Sequence, residues 1–351
     1  MMTSDATVAD GGVLVATGYY DCVRSSPMNR LLKTTLVLCL LTVLAAAAAF
    51  YVRPLEVADG VSHYNLWRAG IRSQYVQLGP YRIHYLEQAP NGLVAPMGTG
   101  THSDQPIVLV HGLGGRAEDW TPMIEGLARN GFHVYALDLL GFGRSPKPDV
   151  SYSITLEQKV LGQFIDSQQL TRPDLAGWSL GGWIAMSYAL DHPDRVRRLL
   201  LYDSAGIDFT SAMPLNMFVP QTPAQLAELR SYLSPHPQPI PAFAVRDVLR
   251  RARKYGWVVQ RGLASAAGGR NLLDGKLGGL HMPVLIVWGG EDRLIPPAIG
   301  EKMHQEIPQS VFEIAKGCGH LAALECAPAI LPRTLQFLNA QPPMSGGEII
   351  F

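Results

Sequence analysis

Charge is scarce in this 351-residue chain: only 17% of residues are charged, and 29 Lys and Arg balance 29 Asp and Glu. Without a positive surplus there is no sequence-independent grip on a phosphate backbone, so no nucleic-acid partner is expected. Cysteine is scarce too. Cys22, Cys39, Cys318 and Cys326 offer neither a metal-ligand spacing nor a dense disulfide framework. We read Cys318 and Cys326 as buried free thiols, with a bond between them open only if their segment meets an oxidising compartment. The 35 Gly and 26 Pro follow no period, which excludes collagen-like and low-complexity chains. No repeat of about 20–50 residues marks a solenoid or propeller.

Apolar residues are plentiful at 47% of the chain, enough for one large or two smaller cores. Residues 34–52 form a run of 19 without a single charge. As a helix this run is roughly 28 Å long, the thickness of a bilayer's hydrocarbon core. Arg24, Arg30 and Lys33 precede it, which puts the N-terminal side in the cytoplasm and the remainder of the chain on the far side. Read from Met28, the same segment resembles a cleaved signal peptide with an Ala-x-Ala site near residues 46–49. The retained anchor is preferred because the run exceeds a signal peptide's apolar region, and secretion after cleavage is the alternative. Residues 1–33 then form a tail and 53–73 a linker.

From residue 74 onward the hydrophobic pattern alternates between strand and helix periods. Residues 75–78 and 82–87 flank Gly79-Pro80 as a hairpin, and 90–105 read as a surface loop. Strands are expected at 106–110, 133–137, 174–178 and 199–202, with helices at 118–130, 156–170 and 180–191 between and beyond them. This order predicts a mostly parallel sheet with helices on both faces. The alternation stops after Ser204-Ala205-Gly206 and resumes at 283–288. The intervening 207–280 carry candidate helices at 222–233 and 245–267, and are expected to cap the carboxyl ends of the strands, where ligands bind in such sheets. Arg246, Arg250, Arg251, Arg253 and Lys254 are read as a solvated face of the second helix. Core then resumes over 281–340, and 341–351 are a tail.

Gly177-Trp178-Ser179-Leu180-Gly181-Gly182 follows a predicted strand and opens a predicted helix. In that context Gly-x-Ser-x-Gly exposes a serine on a sharp turn, and glycines on either side remove Cβ atoms that would collide with neighbouring backbone. A serine hydroxyl needs a base, and the base an orienting carboxylate. In the order Ser, acid, His, the acid is Asp292 in Gly289-Gly290-Glu291-Asp292, with Glu291 and Asp203 as lesser candidates; Asp203 is read as capping the turn into the cap. The base is His320, on the loop Gly317-Cys318-Gly319-His320, whereas His304 is read as solvent-exposed. Backbone amides of Leu180 and Leu113 are the oxyanion donors, the latter on His111-Gly112-Leu113-Gly114-Gly115, a loop that His111 is placed to buttress.

With these motifs in register the chain resembles the α/β-hydrolase superfamily over residues 74–340. The run 137–145 (Leu-Asp-Leu-Leu-Gly-Phe-Gly-Arg-Ser), the segment 202–206 and the cap look like those of capped bacterial lipases and membrane-anchored monoacylglycerol lipases. The elbow is similar to that of the carboxylesterase of biotin synthesis. Ring-cleavage C–C hydrolases and cofactor-free perhydrolases share the same core. Dehalogenases and epoxide hydrolases of this fold use Asp where residue 179 is Ser, which excludes them. The resemblance implies a serine hydrolase of carboxylic esters, a lipase or esterase acting on acyl-lipid esters and needing no cofactor or metal. Trp178, Met213, Met217 and Phe218 are the candidate substrate contacts, and the membrane is a partner through residues 34–52. C–C or peracid chemistry on the same triad, or a non-hydrolytic receptor, are the rivals.

Overall fold

A computed structural model describes residues 27–90, 104–269 and 271–351. Residues 91–103 of the expected loop 90–105, and most of the expected N-terminal tail, lie outside the described residues. The chain divides into two units, Met1–Phe50 and Tyr51–Phe351. Helix α1 (Pro27–Val52) carries the uncharged run; an 18-residue stretch within Met28–Val52 has a mean hydropathy of 2.4, and every residue from Met28 to Val52 is exposed.

In the larger unit, helix α2 (Pro54–Arg68) and the start of strand β1 (Arg72–Leu78) occupy the segment expected to be a linker. Pro54 at the first helical position pre-sets the entry dihedral. Apolar residues on opposite faces of α2 hide its period from a sequence reading. β1 pairs antiparallel with β2 (Tyr81–Gln88), and β2 antiparallel with β4 (Phe132–Leu137). All remaining pairs are parallel, in the order β1-β2-β4-β3-β5-β6-β7-β8-β9. The members are β3 (Gln105–Val110), β5 (Asp174–Trp178), β6 (Leu199–Tyr202), β7 (Val284–Gly289), β8 (Val311–Ala315) and β9 (Glu348–Ile350). Strand β9 lies in the segment read as a C-terminal tail; three residues are too few to show a period.

Between the strands run α3 (Thr121–Arg129), α4 (Ile154–Ser167), α5 (Leu180–Asp191), α6 (Pro223–Leu233), α7 (Ala242–Ala267), α8 (Pro297–Glu306), α9 (Ala322–Glu325) and α10 (Ala327–Asn339). Two cores result, one on each sheet face. On one side Val160, Phe164, Ile184 and Met303 pack under α4, α5 and α8; on the other Trp120, Ile124, Leu127, Ile330 and Phe337 pack under α3 and α10. Burying each such side chain contributes about 1.5–3 kcal/mol. Helices α6 and α7 lie in the long insertion between β6 and β7. The fold is thus an α/β-hydrolase architecture whose strand ends converge on one cavity.

Two local readings are corrected. Cys318 and Cys326 form a disulfide, with Cα atoms 6.2 Å apart, not two free thiols. The turn between β8 and α10 brings them within bridging distance, a tertiary fact that their sequence spacing does not reveal. His304 is half-buried rather than solvent-exposed, stacked on Phe312 and bonded through Nδ1 to Ser310 Oγ at 2.7 Å.

Candidate active site

The turn from β5 into α5 holds Ser179 at φ 55°, ψ −120°, a conformation that side-chain-bearing residues avoid. The flanking glycines make the turn feasible. A Cβ on Gly177 would run into the Gly181 carbonyl, and one on Gly181 into the Val110 carbonyl. The Gly112 loop approaches so closely that a Cβ there would stand 3.0 Å from the Ser179 Cβ.

Asp292 follows β7. Its Oδ1 accepts from the amides of Leu294 (2.8 Å) and Ile295 (2.9 Å), which fixes the carboxylate. Its Oδ2 is 2.8 Å from Nδ1 of His320, and both side chains are buried. That bond assigns the proton to Nδ1 and leaves Nε2 free to accept. The Trp178 indole N–H donates to the His320 carbonyl at 2.7 Å, tying the loop after β8 to the elbow. The Cys318–Cys326 bond brackets the same loop.

His111 buttresses the Gly112–Gly115 turn: Nδ1 donates to the Gly112 carbonyl at 2.7 Å and Nε2 accepts from the Leu139 amide at 3.1 Å. Nearby, Asp138 binds His84 Nδ1 (2.6 Å), the Ala117 amide (2.6 Å) and the Arg144 amide (2.8 Å), pinning three segments together. Burial opposes its charge, but these bonds hold the carboxyl below its ordinary range. Asp203 does not cap the turn into the insertion. It is wholly buried, and its Oδ1 accepts from the Gly289 amide at 2.7 Å. Burial, reinforced by the charge of Asp292, pushes its carboxyl well above the ordinary range.

Ser179, His320, Leu113, Leu180 and Trp178 line one cavity of about 870 Å³ together with Met213 and Phe218. Met217 is absent from the wall and packs in the core; Leu215 and Phe218, three residues apart on one face of the 3₁₀ turn, reach the cavity instead. Side chains not anticipated from the sequence complete the wall: Trp183 from α5, Leu229 and Leu233 from α6, and Leu263 from α7. Trp183, four residues past Ser179 on the helix the motif opens, was readable as a neighbour of the site. The α6 and α7 residues were not, because nothing in their pattern says which face turns inward. Among the described residues, no Lys or Arg lines this cavity.

Residues 105–326 match the family model of the alpha/beta hydrolase fold. The chain belongs to the α/β-hydrolase family. Among curated relatives, this α/β hydrolase is 30% identical over 246 residues to the 2-hydroxymuconate semialdehyde hydrolase of Pseudomonas sp. (strain CF600), covering 63% of this chain and 82% of the relative. It is 26% identical over 237 residues to Lipase 3 of Moraxella sp. (strain TA144), covering 63% and 73%. Among solved structures, a membrane phospholipase A described as a bacterial virulence factor superposes with a TM-score of 0.71 at 27% identity, over 87% of this α/β hydrolase and 98% of that chain.

Proposed function

We propose that this α/β hydrolase cleaves carboxylic esters of acyl-lipid type through Ser179, His320 and Asp292. His320 Nε2 takes the Ser179 proton as Oγ attacks the ester carbonyl, and Asp292 holds the resulting imidazolium. The Leu113 and Leu180 amides stabilise the oxyanion. His320 then protonates the departing alkoxide, and water releases the acyl group by the same route.

The observation that carries the ester reading is the cavity wall. It is built largely from Leu, Phe, Trp and Met side chains, and among the described residues its Asp119 and Asp208 are acidic. A dienoate such as the one named for the Pseudomonas putida 2-hydroxy-6-oxo-2,4-heptadienoate hydrolase carries a carboxylate. An anion of that kind needs a cationic partner when taken from water, and among the described residues no Lys or Arg lines this wall. A neutral acyl ester needs none. C–C hydrolysis is therefore the rival, favoured by sequence likeness and opposed by the wall's charge.

The exposed apolar helix α1 supports a retained membrane anchor, and the cations before it support placing the hydrolase unit outside the cytoplasm. The test of activity is a p-nitrophenyl ester series from acetyl to palmitoyl, with a meta-cleavage dienoate alongside and Ser179→Ala as control. Medium- or long-chain preference, lost in the variant, is the expected result. Turnover of the dienoate without the esters would overturn the ester reading, and activity confined to the shortest esters would overturn its lipid part.

A further inference from the structure

Helix α2 has two apolar faces with different fates. Its inner face is bolted down: Leu66 is buried in the core, the Leu55 amide donates to Asp247 Oδ2 at 3.0 Å, and Pro54 is covered. Asp59 is the centre of the attachment. One carboxylate oxygen accepts from Arg116 at 2.8 Å and the other from Arg251 at 2.7 Å. Burial opposes the charge of Asp59, but the two guanidinium groups hold its carboxyl below the ordinary range. Arg116 directly follows the Gly112–Gly115 turn, and Arg251 lies on α7, which contributes Gly262, Leu263 and Ala266 to the cavity wall. The helix thus grips both the oxyanion-side loop and the insertion. The basic face of α7, expected to be solvated, is partly spent on this contact, with Arg250 also reaching Glu56 at 3.3 Å.

The outer face is bare. Val61 is 55% exposed, Tyr64 56% and Trp67 73%. Val57, Val61, Tyr64 and Arg68 fall at i, i+4, i+7 and i+11, one stripe of a helix, with Trp67 at its border. Arg68 lies over the Tyr64 ring, 5.9 Å from its centroid. Tyr, Trp and Arg side by side are the side chains that settle at a lipid headgroup boundary. A single residue, Arg53, separates α2 from the end of α1. A helix beginning one residue after a membrane span cannot start more than a few ångströms from the bilayer surface.

We propose that α2 is an interfacial helix whose Val61–Tyr64–Trp67 face lies in the lipid headgroup region, so that the enzyme works at the membrane surface on acyl substrates of the leaflet. This rests on the reading of α1 as a membrane span. The full chain, reconstituted into vesicles of phosphatidylcholine and phosphatidylglycerol with acyl-brominated lipid, tests it through tryptophan fluorescence. Wild type is expected to lose a larger fraction of its emission than Trp67→Phe. In a Tyr64→Glu/Trp67→Glu variant, turnover of vesicle-borne acylglycerol is expected to fall about tenfold, with a soluble short-chain ester changed by less than about twofold. Equal quenching of wild type and Trp67→Phe, in protein that resists carbonate extraction, would overturn the interfacial helix and leave the span intact. Protein stripped from vesicles by carbonate would overturn the span, and this proposal with it. Equal loss on both substrates would make the face merely structural. A dimer that the double variant converts to monomer, with unchanged quenching, would assign the face to a second copy of the chain; either result overturns the proposal.

Discussion

Asp203 and Asp292 stand at the ends of adjacent strands and are linked through one residue. The Asp203 carboxylate takes the Gly289 amide at 2.7 Å, and the Gly289 carbonyl takes the Asp292 amide at 3.1 Å. Burial, and then the charge of Asp292, push the Asp203 carboxyl well above its ordinary range. Their substitutions should therefore differ sharply. Asp203→Asn retains the acceptor for Gly289 and should leave kcat within about fivefold. Asp292→Asn puts an amide against His320 Nδ1 and should cost about 10⁴-fold in kcat. Steady-state kinetics on one ester, with thermal melts to verify folding, measure both.

The Trp178–His320 bond yields a second expectation. Trp178→Phe keeps the ring against His320 and deletes the donor to its carbonyl. Loss of that tie should lower kcat/KM by about tenfold through misplacement of the base. Titration with a fluorophosphonate probe would resolve slower labelling from a smaller folded fraction.

Gly181→Ala tests the elbow. The new methyl would meet the Val110 carbonyl, which is held in the sheet and cannot yield. A loss of at least about 3 kcal/mol is expected, read as a lowered melting temperature or failure to accumulate as soluble protein.

Glu157 makes stability depend on pH. It is buried beneath the Leu140 amide, which it accepts at 3.1 Å, and burial raises its pKa from 4.5 to about 8. Between those values the unfolded chain has released the proton and the folded chain retains it. Stability should consequently fall as pH rises through this window and flatten above it. Glu157→Gln keeps an acceptor for Leu140 and has no proton to hold. Its melting temperature should match wild type near pH 5 and exceed it by about 5 °C near pH 8. Melts across that range would expose the difference in slope.

How much of this was legible depended on whether the signal was local. The elbow could be read because Gly177, Ser179 and Gly181 sit between an apolar strand and a helix, and the sheet because its strands are continuous apolar runs. Both are properties of neighbouring residues. Helix α2 was hidden because Leu55 and Leu66 face inward while Val61 and Tyr64 face outward, leaving no polar side to mark its period. The Asp203–Gly289 bond and the Cys318–Cys326 bridge depend on where separate strands end. Met217 is as apolar as Phe218, and only the three-residue period of the turn, which the sequence does not announce, decides which of the two reaches the cavity.

The bridge between Cys318 and Cys326 also sets an order of events. The chain that leaves the ribosome holds two thiols around His320, and it cannot oxidise them by itself. Until an external oxidant closes the ring of residues 318–326, the proposed general base rides on a loop fastened by Trp178, by the Glu291 amide on the Cys318 carbonyl and by the Leu321 amide on the Leu233 carbonyl. Assembly of this hydrolase is thus an oxidation as well as a folding reaction, with a covalent step made around the residue that would move the proton.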